Sequence, residues 1–133
     1  MNPKIIVNPS YDASAPDHFP ALLLIHGSTV TRKMWLPQLR KLSDTFHVIA
    51  PDLPGHGALE LIPFNFSSAA QKIAEIIDQE ANGRALVAGL SLGGYVAMQF
   101  AEKFPEKTAG LILSGCSLNF KGAFGLYLRI ISG

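Results

Sequence analysis

Cysteine is nearly missing from this chain: Cys116 is the only one in 133 residues. That excludes an intrachain disulfide and any metal centre built from several thiolates, and it favours a reducing compartment, expected to be the cytoplasm. Charge is sparse too, at 16% of residues with a formal net charge of +1 and no block of Lys or Arg. A nucleic acid or an anionic membrane surface is therefore not the expected partner, and a small, uncharged substrate is. Long hydrophobic runs are absent from the start of the chain, where Met1-Asn2-Pro3-Lys4 precedes only Ile5, Ile6 and Val7. That stretch is too short for a signal-peptide core or a membrane span. Internal repeats, low-complexity tracts and interdomain linkers are also lacking, so residues 1–133 read as one domain, and a 48% hydrophobic content is enough to bury a core.

What is present alternates. Apolar runs of strand length fall at Ile5 to Val7, Ala21 to Ile25, Phe46 to Ala50, Ala85 to Ala88 and Leu111 to Leu113, and segments of helical period separate the later ones. The last four runs are almost unbroken, as expected for strands buried on both faces. Trp35, Leu39 and Leu42 form one stripe on a helix expected over 31–43, with Pro37 tolerated near its start. A second helix carries Ala70, Ile73, Ala74, Ile77 and Ala81, with Ser68 and Gln71 spaced as a capping box and Asn82-Gly83 as its stop. A third follows Ser91, carries Gly94, Ala97, Ala101 and Phe104 on one face and ends at Phe104-Pro105. The alternation predicts an α/β fold, a three-layer α/β/α sandwich around a mostly parallel sheet.

Gly89-Leu90-Ser91-Leu92-Gly93 has the form G-x-S-x-G. A chain of this length shows that pattern by chance in roughly one case in twenty-five, so the match needs context. Context is supplied by the strand before it and the helix after it, which put Ser91 on a strand-to-helix turn. A serine hydroxyl is a weak nucleophile, and such a turn presents it clear of the backbone to a base and an acyl carbon, at the cost of a strained conformation at the serine. Gly89 and Gly93 sit where a Cβ would meet the neighbouring strand or helix. The helix start aims N–H groups at the site of a developing oxyanion. A phosphate-binding glycine turn is the competing reading, but neither the dinucleotide fingerprint nor a P-loop lysine is present. No cofactor and no metal are expected.

The strand Leu22-Leu23-Leu24-Ile25 ending in His26-Gly27-Ser28, the downstream Trp35, the stretch Val48-Ile49-Ala50-Pro51-Asp52-Leu53-Pro54-Gly55-His56-Gly57 and the Ser91 elbow come in that order. Together they resemble the α/β-hydrolase family over about Ala21 to Cys116. The resemblance implies Ser91 as nucleophile, the backbone N–H groups of Ser28 and Leu92 as oxyanion donors, and the strand ending at His26 beside the strand ending at Ser91. His26, Gly27 and Trp35 are the expected substrate-side residues, although His26 is better placed to brace the oxyanion loop than to act as a base, and Trp35 to anchor its helix. His56 is expected in a structural turn with Asp52 and the adjacent glycines. His18 and His47 have weaker claims to a role, and Cys116 is expected to be a packed or edge thiol.

The family's triad runs in chain order Ser, Asp or Glu, His, yet after Glu106 the sequence holds no acid and no histidine. The expectation is a partial core lacking the C-terminal strands, with truncation preferred as the reason and residues 121–133 as the start of a cap or fourth helix. Two functions follow. One is a serine hydrolase cleaving an ester, thioester or similar acyl bond through Ser91, with the 133 residues inactive alone. The other is a noncatalytic α/β-hydrolase-like binding or scaffold chain. A serine at the elbow argues against the dehalogenase type, which uses aspartate there. The uncovered sheet edge and the apolar tail make self-association a further expectation.

Overall fold

The computed structural model describes residues 4–117. Six strands form one sheet: β1 (Ile5–Val7), β2 (Tyr11–Ser14), β3 (Ala21–Ile25), β4 (His47–Pro51), β5 (Ala85–Leu90) and β6 (Thr108–Ser114), in the spatial order β1-β2-β4-β3-β5-β6. The four strands from β4 to β6 run parallel, and β1 and β2 add an antiparallel end. Register places Leu23 beside Ile49 and Ile25 beside Gly89. The carboxyl ends of β3 and β5 therefore lie side by side, which is where ligands gather in sheets of this kind.

Helices α1 (Leu36–Leu42), α2 (Phe66–Glu80) and α3 (Leu92–Lys103) supply the outer layers. Two cores result, one on each face of the sheet. Leu23, Ile25, Ile49 and Val87 pack with α2 and α3 around Phe100 and Ile73, whereas Leu22, Leu24, Val48 and Ala88 pack with Leu39 and Trp35 under α1. Successive strand residues thus feed opposite cores, which is why β3 to β5 read as unbroken apolar runs. Each fully buried side chain of the size of Phe100, Leu39 or Ile77 contributes about 1.5 to 3 kcal/mol.

Several expectations need correction. The helix expected over 31–43 is a 3-10 turn, Arg32–Trp35, followed by α1. A continuous α-helix from residue 31 would bring the Pro37 ring against the carbonyl of Lys33, whereas a helix that starts at Leu36 places Pro37 in its first turn, where a missing N–H costs nothing. The capping box at Ser68 and Gln71 is not used: α2 begins three residues earlier, with the Asn65 Oδ1 accepting the Ser68 N–H at 2.7 Å. Helix α3, by contrast, begins at Leu92, directly after Ser91 as expected. Strand β5 continues two residues past Ala88, to Leu90. The run Leu111 to Leu113 is not buried on both faces, since β6 borders the sheet among the described residues and Ile112 is 55% exposed. β2 carries no run at all and is buried by pairing with β4. The segment 121–133, expected to open a cap or fourth helix, lies outside the described residues. Among the described residues no helix is long and apolar enough to cross a membrane.

Candidate active site

Ser91 occupies the single position between the end of β5 and the start of α3, with φ 55° and ψ −116°. A positive φ is costly for a residue with a Cβ and persists only where the surroundings over-determine it. Here they do. The Ser91 N–H donates to the Ser114 carbonyl at 2.8 Å, and the Ser91 carbonyl accepts from Gly94 at 2.8 Å and Tyr95 at 3.3 Å. A Cβ on Gly89 would strike the Gly93 carbonyl, and one on Gly93 would strike the carbonyls of Ile25 and His26. Glycine at both places is a requirement of backbone lying on backbone. The serine itself is exposed.

The loop after β3 lies against this turn. A Cβ on Gly27 would sit 3.6 Å from the Ser91 Cβ and 3.4 Å from the Leu90 carbonyl oxygen. Ser28 is exposed, and its N–H donates to no backbone carbonyl in the turns, loops and caps of the described residues. Leu92 is the first residue of α3, so its N–H has no carbonyl of its own helix to meet.

His26 is fully buried beneath this loop. Its Nε2 accepts the Leu53 N–H at 3.0 Å, which leaves Nδ1 carrying the proton and donating to the Gly27 carbonyl at 2.7 Å. Both ring nitrogens are engaged, so the side chain braces the loop and has no lone pair to offer as a base. Burial pushes its pKa down and the nearby His56 adds to that, while the Gly27 carbonyl and Asp52 pull the other way. The neutral ring is the form this geometry uses.

The other histidines are occupied elsewhere. The His56 Nδ1–H donates to the Pro54 carbonyl at 3.0 Å, and its ring lies 5.1 Å from that of His26, within the turn that Gly55 and Gly57 shape. His47 begins β4, at the amino ends of the parallel strands and opposite the elbow, where its Nδ1 meets the Ser14 carbonyl at 2.6 Å and its Nε2 lies 3.4 Å from Glu80. Glu80 also accepts the Tyr11 hydroxyl, whose pKa is pushed up to about 12 by burial and by that carboxylate. His18 is exposed and stacks edge-on with Phe19. No histidine among the described residues is hydrogen-bonded to the Ser91 hydroxyl. Trp35 packs against the core beneath α1. Cys116 packs against Gly94, and burial raises its thiol pKa, which makes it a poor nucleophile at neutral pH.

Sequence reasoning missed a polar cluster under the same loop. Asp52, 3% exposed, accepts the Arg32 N–H at 2.9 Å and the Ala58 N–H at 3.1 Å, and the Arg32 guanidinium lies 3.7 Å from it and 3.6 Å from Asp12. Asp52 was legible as a turn residue; nothing local marked Asp12 or Arg32. A separate cavity of about 200 Å³ opens between Pro54, Leu59 and Ile62 on one side and α2 from Ser68 to Glu75 on the other. It shares no residue with the elbow or the His26 loop.

Known proteins are similar to this chain in sequence and in fold. The sequence pattern of the alpha/beta hydrolase family matches residues 22–131. A pimeloyl-(acyl-carrier protein) methyl ester esterase of Neisseria meningitidis serogroup B is 39% identical over 102 residues, which cover 76% of this chain and 38% of the relative. An uncharacterised protein of Mycobacterium tuberculosis is 42% identical over 99 residues, covering 71% of this chain and 28% of its own. The chain thus spans about a third of the length of these relatives. A thermophilic esterase from Thermogutta terrifontis superposes with a TM-score of 0.72 at 33% identity, covering 85% of this chain and 44% of that one. The N-acyl homoserine lactonase AidH, bound to N-butanoyl homoserine, superposes with a TM-score of 0.64 at 26% identity, covering 86% and 45%. The order of strands, the elbow, the loop after β3 and the matched span lead to one conclusion: the chain belongs to the alpha/beta hydrolase family.

Proposed function

We propose that these residues are the nucleophile-bearing part of a serine hydrolase that cleaves an ester or related acyl bond through an acyl-enzyme on Ser91. The observation that carries the reading is the strained, exposed Ser91 at the junction of β5 and α3, with the Gly27 loop packed against it. In the first step the Ser91 oxygen attacks the acyl carbon while its proton passes to a base, and the carbonyl oxygen takes up the negative charge. The N–H groups of Ser28 and Leu92 are the donors proposed for that oxyanion, each worth about 2.7 to 4 kcal/mol of transition-state stabilisation. The leaving alcohol departs with a proton, and water then frees the acid from the serine. Ring nitrogens already engaged at His26, and the place of His47 at the amino end of β4, argue against a base from these histidines. The esterases and the lactonase among the similar proteins support an ester or lactone as substrate class. The protein is proposed to act on a small molecule in the cytoplasm, with no nucleic-acid or membrane partner, and the β6 edge is the proposed place of self-association.

The test compares the 133 residues with an extended form that contains a later Asp and His, using an aryl ester and an active-site phosphonate. The extended form is expected to turn over the ester and to be labelled on Ser91, Ser91→Ala to lose activity on the order of a million-fold, and the short form to show no useful turnover. An extended form that stays inert and unlabelled would favour the noncatalytic reading, which the lack of a histidine bonded to Ser91 supports.

A further inference from the structure

The stretch that carries the Ser28 amide is tied down at both ends by two adjacent residues. At its start, His26 Nε2 accepts the Leu53 N–H; at its end, the Arg32 N–H donates to Asp52 Oδ1. Between the ties Ser28, Thr29 and Val30 are exposed, and Thr29, a β-branched residue, has φ 63°. An exposed stretch with a strained residue keeps one shape only if its ends are held. His26 holds the first end from within the core. The second end depends on charge: the buried Asp52 carboxylate has Asp12 of β2 as a neighbour, and two carboxylates so placed repel unless a cation lies between them. Arg32 is that cation, buried itself, with Nε 3.6 Å from Asp12 and 3.7 Å from Asp52.

The Asp12 carboxyl shows the balance of this arrangement. Burial raises its pKa, Arg32 opposes that, Asp52 adds to it, and Lys33 draws it down. Arg32 is therefore unusual in making two contacts with one acid. Its backbone N–H bonds Asp52 directly, and its side chain supplies the charge that lets Asp52 lie buried beside Asp12.

We propose that Arg32 is a positioning residue for the hydrolytic step, fixing the Ser28 amide by locking the far end of the 27–31 loop between Asp12 and Asp52. The proposal rests on the reading of Ser28 as an oxyanion donor. Because the contacts are charge contacts near 3.6 Å, with Arg32 Nη1 and Asp12 Oδ1 making no hydrogen bond among the described residues, charge more than fork geometry is what the site needs.

The experiment follows amide hydrogen exchange at Ser28, Thr29 and Val30 in the full protein, with Val87 of β5 and Val96 of α3 as controls for the fold, and measures kcat and KM for an aryl ester. Arg32→Met should speed exchange at residues 28–30 by about tenfold with the controls unchanged. It should lower kcat by tenfold to on the order of a hundredfold with KM nearly constant, because the donor serves the transition state and not the bound substrate. Arg32→Lys should recover most of both effects. If the controls show that Arg32→Met unfolds, Arg32→Gln keeps a polar side chain and removes the charge, and should speed exchange at 28–30 by about threefold. Unchanged exchange in the folded variants overturns the lock. Faster exchange with kcat unaltered, or with no recovery in Arg32→Lys, overturns the positioning role. A parent protein with no Ser91-dependent turnover would instead sink the hydrolase reading, while the exchange measurements still decide whether Arg32 locks the loop.

Discussion

The turn that leaves β5 and the turn that leaves β4 stand on either side of β3, and both hold glycine where the chain reverses. Their glycines answer different demands. At the elbow a Cβ on Gly89 or Gly93 would enter a backbone carbonyl, and the carbonyls of Ile25 and His26 belong to the end of β3 and the loop it feeds. After β4 the need is conformational: Gly55 and Gly57 have φ of 80° and 54°, and a Cβ on Gly57 would lie 2.5 Å from the Asp52 carboxyl, a side chain. Backbone that is pinned in a parallel sheet cannot move aside, whereas a side chain can turn. The elbow is held by steric necessity, and the β4 turn by hydrogen bonds that Asp52, His26 and His56 supply.

The contrast is broken most severely at Gly93. Gly93→Ala must separate α3 from the end of β3, and we expect a loss of about 3 kcal/mol or more, or failure to fold, in urea unfolding. Gly94→Ala, one residue on, is the control, because its Cβ would meet the Cys116 Sγ at 2.6 Å and a thiol can rotate away. It should cost about 1 kcal/mol and be largely relieved by Cys116→Ala. Equal losses at the two positions would contradict the distinction between backbone and side-chain contact.

A smaller effect is expected at the β4 turn. Gly57→Ala forces an L residue into the left-handed region and displaces Asp52, for a combined cost of about 2 kcal/mol by thermal or urea unfolding. Part of that cost should pass to the loop after β3, since Asp52 also holds Arg32. A Gly57→Ala variant as unstable as Gly93→Ala would show that the two turns are held in the same way.

The mildest effect concerns the brace between them. The pKa of His26 is lowered in the folded protein, chiefly by burial, so its unfolded form takes up a proton first as pH falls below the ordinary histidine value of 6.5. The stability this neutral ring contributes is complete above that value and drains away as pH drops toward the folded pKa. The slope cannot exceed about 1.4 kcal/mol per pH unit for one proton. Urea midpoints at pH 7.5 and 5.5 should therefore fall further for the parent than for His26→Gln. Asp12, whose raised pKa gives the opposite slope at lower pH, is common to both chains and cancels in the comparison. Parallel lines for the two proteins would mean that His26 is protonated in place.

Much of the site was readable because its code is local. The run Ala21 to Ile25 marked β3 with its limits unchanged, and G-x-S-x-G between a strand and a helical period marked the elbow. Other elements were hidden for identifiable reasons. Four residues with two apolar members are too few to announce β2, and Asn65 captured the α2 start because its side chain reached the Ser68 amide before Ser68 could cap anything. Pro37 divided the expected first helix, by a clash that periodicity does not register.

By itself, then, the amino-acid order determined the α/β alternation, the strands that feed two cores, the strain at Ser91 and the glycines around it, because each of these depends on residues within about one turn or one strand of each other. The tertiary structure alone decided which groups would share the space under the loop after β3. Arg32 meets Asp52 across 20 residues, and it meets Asp12 because the sheet order sets β2 beside β4. His26 reaches Leu53 because β3 pairs with β4. Pairing between distant strands brings those charges and ring nitrogens together, and no spacing along the chain encodes it.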